Sequence, residues 1–105
     1  MTGTPVDVEV IASRLIAAYD SATTLAPITA GDPGFDVAAA YDVLCKIEAH
    51  RVASGWEPVG RKIGFTNRTI WARYGVYLPM WAHTWAHTVH HTTADRATLA
   101  LAPFV

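Results

Sequence analysis

Val59-Gly60-Arg61-Lys62-Ile63-Gly64-Phe65-Thr66-Asn67-Arg68 decides how this chain is read. Val59, Ile63 and Phe65 are apolar and glycines stand at 60 and 64, which predicts a short buried strand within residues 56–66 that turns into a helix. Glycine inside a strand marks close approach of a ligand or of another backbone. Lys62 stands in the middle of the run. It reads either as an edge-strand lysine pointing at water or as the cation of an anion site. A strand-to-helix turn also offers free backbone N–H groups, which attract carboxylate or phosphate.

Outward from this stretch, charge placement says more than net charge. The formal net charge is -1, which argues against a nucleic-acid binder. Yet no acid occurs from Pro58 to Ala94, while Arg61, Lys62, Arg68, Arg73 and four of the five histidines do. Such a window favours an anionic ligand, unless acids elsewhere in the fold or assembly pair with it. With 51% hydrophobic and 16% charged residues in 105, the composition is rich for one small domain. It implies apolar surface that another chain, or further sequence, covers. No apolar run approaches the roughly 20 residues of a membrane span, and Met1-Thr2-Gly3-Thr4 lacks the features of a signal peptide. One cysteine, Cys45, excludes an internal disulfide and fits the cytoplasm; among helical apolar residues it is expected to be buried.

Upstream, Thr4 as cap, Pro5 and Asp7 predict a helix over residues 5–21, with Val8, Ile11, Leu15 and Ala18 on its apolar face. Residues 24–34 read as a loop punctuated by Asp32-Pro33-Gly34. Asp36 caps a second helix to about Ser54, with Val37, Ala40, Tyr41, Leu44 and Ile47 as its stripe and Gly55 as its stop. Downstream, Asn67 caps a short helix ended by Gly75, and residues 77–81 read as an aromatic loop. A strand is expected over 84–89, and an apolar strand at Leu99-Ala100-Leu101-Ala102-Pro103-Phe104-Val105. His83 and His87 would share a face if helical and bind a metal, but Thr and Val nearby favour strand, and no acid or thiol lies close in sequence. No P-loop, dinucleotide fingerprint, nucleophile elbow or carboxylate pair is present.

The stretch 59–68, followed by Tyr74-Gly75-Val76-Tyr77-Leu78-Pro79-Met80-Trp81, resembles the N-terminal part of the 2-keto-4-pentenoate hydratase and 4-oxalocrotonate decarboxylase family, in the fumarylacetoacetate-hydrolase superfamily. Residues 39–43 and 51–55 fit that family's second helix, and 88–89 and 99–105 its later pattern. The resemblance implies an α+β fold, two N-terminal helices packed on a few strands, as one segment over 1–105. It implies a cytoplasmic hydro-lyase of aromatic-compound catabolism that adds water to a short 2-hydroxydienoate. The related decarboxylation and a non-catalytic assembly role are its alternatives. The family's catalytic lysine maps onto Lys62, with Arg61, Phe65, Thr66, Met80 and Trp81 as substrate-binding residues. Mg²⁺ or Mn²⁺, a small anionic 2-oxo acid and a homo-oligomer are the implied cofactor and partners. No nucleic acid or membrane is among them. The family's metal-binding pair of glutamates falls past residue 105, so the chain is expected to be a truncated member without metal ligands. Ala82 stands at a usual glycine, and Ala86 near a usual aspartate.

Overall fold

The computed structural model describes residues 6–102. Helix α1 spans Val8–Asp20, a single turn α2 spans Ile28–Gly31, and α3 spans Val37–Ala53. Strand β1 (Pro58–Gly64) leads through a 3₁₀ turn (Arg68–Ile70) into α4 (Trp71–Tyr74), then strand β2 (Met80–Trp85) and a second 3₁₀ turn (Ala86–Thr88). The described residues are thus mixed α+β, with one two-stranded antiparallel sheet among them.

Caps set the helix ends. The expected cap Thr4 and Pro5 lie outside the described residues. Asp7, placed inside the helix by the sequence, is itself the cap: its carboxylate accepts the Val10 N–H and α1 starts one residue later. Asp36 accepts the Ala39 N–H at 2.8 Å and starts α3. Gly55 ends α3 at φ +96, while the Trp56 N–H reaches the Arg51 carbonyl and the Gly55 N–H that of Val52. That pair of bonds satisfies two terminal carbonyls, and only a left-handed residue allows it. Asp36→Ala should lower stability by about 1 kcal/mol, read as a shift of the urea midpoint by circular dichroism.

The core is small. Ile11, Ala12 and Val43 are buried where α1 crosses α3, with Leu15, Phe35 and Ile47 packed around them. Val43, absent from the stripe read on α3, is its most buried apolar residue. The reason is that α3 has two working faces. Val43 and Ile47 meet α1; Val37, Ala40, Tyr41 and Leu44 line a groove against β2. Cys45 falls on the third face and is exposed, contrary to the expected buried thiol. On that outer side Lys46 pairs with Glu9 at 2.8 Å. The hydrogen bond to the carboxylate raises the Lys46 pKa above its ordinary 10.5. The contribution to stability is therefore complete below pH about 10.5 and lost as pH climbs through the raised value. Both groups are exposed, so Lys46→Ala should leave the urea midpoint nearly unchanged at pH 7.

Three further sequence expectations change. β1 is exposed from Pro58 to Ile63 rather than buried, because α3 borders β2 across the groove and leaves β1 uncovered. The second strand is Met80–Trp85, not 84–89; the aromatic loop yields to it and residues 86–88 form a 3₁₀ turn. Residues 97–102 form no strand, and Leu99 and Leu101 are exposed; Pro103, Phe104 and Val105 lie outside the described residues.

α3 and the hairpin are joined by polar and aromatic groups rather than aliphatic burial. Tyr41, Glu48 and Arg51 recur at helical spacing, and alternate residues Trp81, His83 and Trp85 of β2 meet them. The Tyr41 hydroxyl accepts the Trp81 N–H at 3.2 Å, and His83 Nδ1 contacts the Glu48 carboxylate. Arg51 donates to both Asp20 oxygens at 2.9 and 3.2 Å. Its guanidinium stacks 4.1 Å from the Trp56 ring and 5.2 Å from Tyr19. Trp56 in turn packs edge-on against Trp85, 5.5 Å between centroids.

Candidate functional site

The hairpin carries the residues singled out by the sequence. Lys62 pairs with Ala82, Arg61 with His83, Ile63 with Trp81 and Gly64 with Met80. Strand alternation therefore divides them between two sides. Gly60, Lys62 and Gly64 share one side with Thr84, Ala82 and Met80. A Cβ on Gly60 would sit 3.1 Å from the Thr84 hydroxyl, which places both on that side. Lys62 thus rises from a floor of small side chains, with open space over Gly64. Its ammonium is exposed and donates to the Ile63 carbonyl at 3.2 Å.

Arg61 lies on the opposite side, its guanidinium 4.8 Å from the Trp81 ring. Met80 and Trp81 line an apolar groove of about 220 Å³ with Val37, Tyr41 and Leu44. A second cleft, about 300 Å³, lies between Tyr19, Ile47, Arg51, Trp56 and Trp85. Lys62 lines neither. The structure therefore brings Lys62 near Met80 and Ala82, and Arg61 onto Trp81, and neither of these two concavities gathers all six predicted residues.

Phe65 and Thr66 close the strand end. Phe65 has φ +56, a left-handed conformation that costs a residue with a Cβ roughly 1–2 kcal/mol. The Trp71 indole N–H donates to the Phe65 carbonyl at 2.8 Å, and the Phe65 ring packs on Tyr74 at 5.8 Å. These contacts hold the turn that directs the chain out of β1. Thr66 is exposed. Asn67 caps the next turn as expected, accepting from the Thr69 N–H at 3.1 Å and the Thr69 hydroxyl at 2.6 Å. Gly75 ends α4 at φ +65.

Sequence reading missed Arg51, Glu48 and the Tyr41 hydroxyl as organising groups. Their signal is a polar stripe at 41, 48 and 51 beside the apolar one, meaningful only once β2 is laid against it. His83 and His87 do not share a helix: His83 is in β2, and His87 packs 4.3 Å from the Trp56 ring. Among the described residues no group of three or more His, Cys, Asp or Glu side chains is placed to hold a metal ion.

No family model matches the chain. It is 36% identical over 72 residues to the 2-hydroxyhexa-2,4-dienoate hydratase of Comamonas testosteroni, which covers 69% of this chain and 27% of the hydratase. Its fold superposes on the 4-oxalocrotonate decarboxylase from Pseudomonas putida G7, complexed with calcium and acetate, with a TM-score of 0.73 and 28% identity. The same decarboxylase complexed with magnesium and adipate gives a TM-score of 0.72. Each superposition covers 82% of this chain and 33% of the decarboxylase. The chain is a partial member of the fumarylacetoacetate-hydrolase superfamily. It spans about a quarter to a third of the hydratase and decarboxylase that it matches. No helix among its described residues is long and apolar enough to cross a membrane.

Proposed function

We propose that this chain is the N-terminal, lysine-bearing portion of a hydratase that adds water to a short 2-hydroxydienoate or 2-oxoalkenoate. The observation that carries the reading is the joint match, by sequence to a dienoate hydratase and by fold to a decarboxylase of the same superfamily. Lys62 supports it: an accessible ammonium with three donors, on a floor of small side chains that leaves room for a ligand. In this reading Lys62 holds the substrate carboxylate or the developing enolate oxygen and moves a proton at that oxygen. Arg61 and Trp81 stiffen the hairpin, while Phe65 and Thr66 edge the site. Lewis-acid polarisation of the carboxylate and 2-oxo group would come from a divalent ion, magnesium or manganese, held by residues other than those described here. The described residues do not fit such an ion by themselves. The reading also places the chain in the cytoplasm, within a homo-oligomer, in aromatic-compound catabolism.

A second reading, decarboxylation of a 2-oxo dicarboxylate, is favoured by the decarboxylase fold match. One chimera separates the two. In it this chain replaces the matching segment of the Comamonas testosteroni hydratase, and the product is assayed with Mg²⁺. Loss of 2-hydroxyhexa-2,4-dienoate without gas release supports hydration; CO₂ from 4-oxalocrotonate supports the alternative. A folded, magnesium-binding chimera that does neither defeats both.

A further inference from the structure

The apolar groove between α3 and β2 runs beside the strand that pairs with Lys62. Val37, Ala40 and Leu44 form its α3 wall, and their spacing puts them on one helix face. That wall is about 10 Å long, at about 1.5 Å of rise per residue. Met80, Trp81 and Ala82 of β2 form the opposite wall. The groove holds about 220 Å³, more than the roughly 150 Å³ that accommodates benzene in an apolar cavity. Met80 and Trp81 are 40% and 37% exposed, so the groove is open to a ligand.

Two features of the walls select what enters. The first is where the groove lies. Ala82 is the cross-strand partner of Lys62, which sets their Cα atoms about 5 Å apart. Met80 and Ala82 stand on the Lys62 side of the hairpin. Opposite Lys62 there is only the Ala82 methyl, and opposite Met80 the side-chain-free Gly64, so the floor beneath the ammonium runs on to the groove. The second feature is polarity. No charged side chain is among the described walls, and the Tyr41 hydroxyl already accepts the Trp81 N–H. A carboxylate entering the groove would lose water without gaining a partner.

We infer that the groove takes the hydrocarbon tail of a 2-oxo or 2-hydroxydienoic monocarboxylic acid whose carboxylate sits at Lys62. The inference rests on the reading of Lys62 above and names the substrate more closely: one charged end and one apolar end. A dicarboxylic acid of the same length is refused, because its second carboxylate would meet Leu44 and Met80 rather than a cation. Leu44 is thereby a specificity-determining residue.

Nuclear magnetic resonance titration of the full chain tests this, with 2-oxobutanoate, 2-oxohexanoate and 2-oxooctanoate as probes. Affinity is expected to rise about two- to fourfold per added methylene, the upper figure being that of a fully buried one. Nuclear Overhauser contacts from the terminal methyl of 2-oxooctanoate are expected to the methyls of Leu44 and Met80. 2-Oxoadipate, as long as 2-oxohexanoate but charged at both ends, should bind at least about tenfold more weakly. Leu44→Trp, which fills the groove, should flatten the series to one affinity; Ala40→Val does the same if that variant fails to fold. Affinity indifferent to length, 2-oxoadipate binding as well as 2-oxohexanoate, or terminal-methyl contacts at Trp56 instead overturns the inference. So does a shift of the groove signals with chain concentration and no ligand, since a second copy then fills it. Lys62→Met reads the other end separately. If it weakens every probe by one factor, both readings gain; if it weakens none while the tail still reaches Leu44, the tail site is supported and the anchoring role of Lys62 falls. Weakening by Lys62→Met without any length dependence does the reverse.

Discussion

Asp20→Ala is expected to destabilise the fold by about 2–3 kcal/mol, more than Arg51→Met, although Asp20 is the exposed member of the pair. The Arg51 side chain is 7% exposed and that of Asp20 53%. Removing the carboxylate leaves a buried guanidinium with only the Trp56 and Tyr19 faces as partners. Those ring contacts are worth about 1–2 kcal/mol and do not replace two charge-assisted hydrogen bonds. Removing the guanidinium instead leaves a carboxylate that water can reach. Methionine fills much of the space, so Arg51→Met should cost about 1 kcal/mol. The double variant should then be close to Arg51→Met alone. Trp56 and Trp85 report directly on this cluster, so urea unfolding followed by tryptophan fluorescence reads all three. If Arg51→Met proves the more damaging, packing rather than charge compensation holds the helices to the hairpin. The effect matters because α1 and α3 bury only Ile11, Ala12, Ala18 and Val43 as apolar residues. A domain with a total stability of about 5 kcal/mol has little margin to lose.

Lys62→Met in the active chimera is expected to lower kcat by about 10²–10⁴-fold with little change in stability. Stability is spared because the ammonium is exposed and its one hydrogen bond is to the carbonyl of its own neighbour. Lys62→Arg separates the two roles given to the side chain. Arginine keeps the positive charge but does not give up a proton near neutral pH. A variant that recovers substrate binding but not kcat assigns proton transfer to Lys62; recovery of both assigns it charge stabilisation alone. Unchanged kcat in Lys62→Met would remove this residue from the chemistry, and its exposed place on the hairpin would then be that of a solubilising edge lysine.

Much of this could be read from local chemistry. Asp36 and Gly55 bracket α3 because capping needs only a side chain within three residues and a left-handed residue after the last turn. Asn67 and Gly75 bracket the short helical segment after β1 for the same reason. Ile11 and Ala18 of the α1 stripe are buried because helical periodicity alone puts them on one side. Other features depend on what lies across space. β1 has the composition of a buried strand, yet burial requires something beside it, and α3 borders β2 instead. Cys45 has apolar neighbours in sequence, but α3 uses two faces and Cys45 lies on neither. The separation of Lys62 from Arg61 follows from alternation, whereas the seating of Arg61 on Trp81 required the register of β1 with β2.

Residue order alone sets the helix limits of α3, the turn after Phe65, and a lysine mid-strand between two glycines. Those are short-range matters of hydrogen bonding, backbone freedom and alternation. The burial of Arg51 against Asp20 and Trp56, the meeting of Glu48 with His83, and the exposure of the cationic strand β1 arise from packing across space. These depend on which surfaces meet after the chain has folded back on itself, and residue order does not encode that at short range.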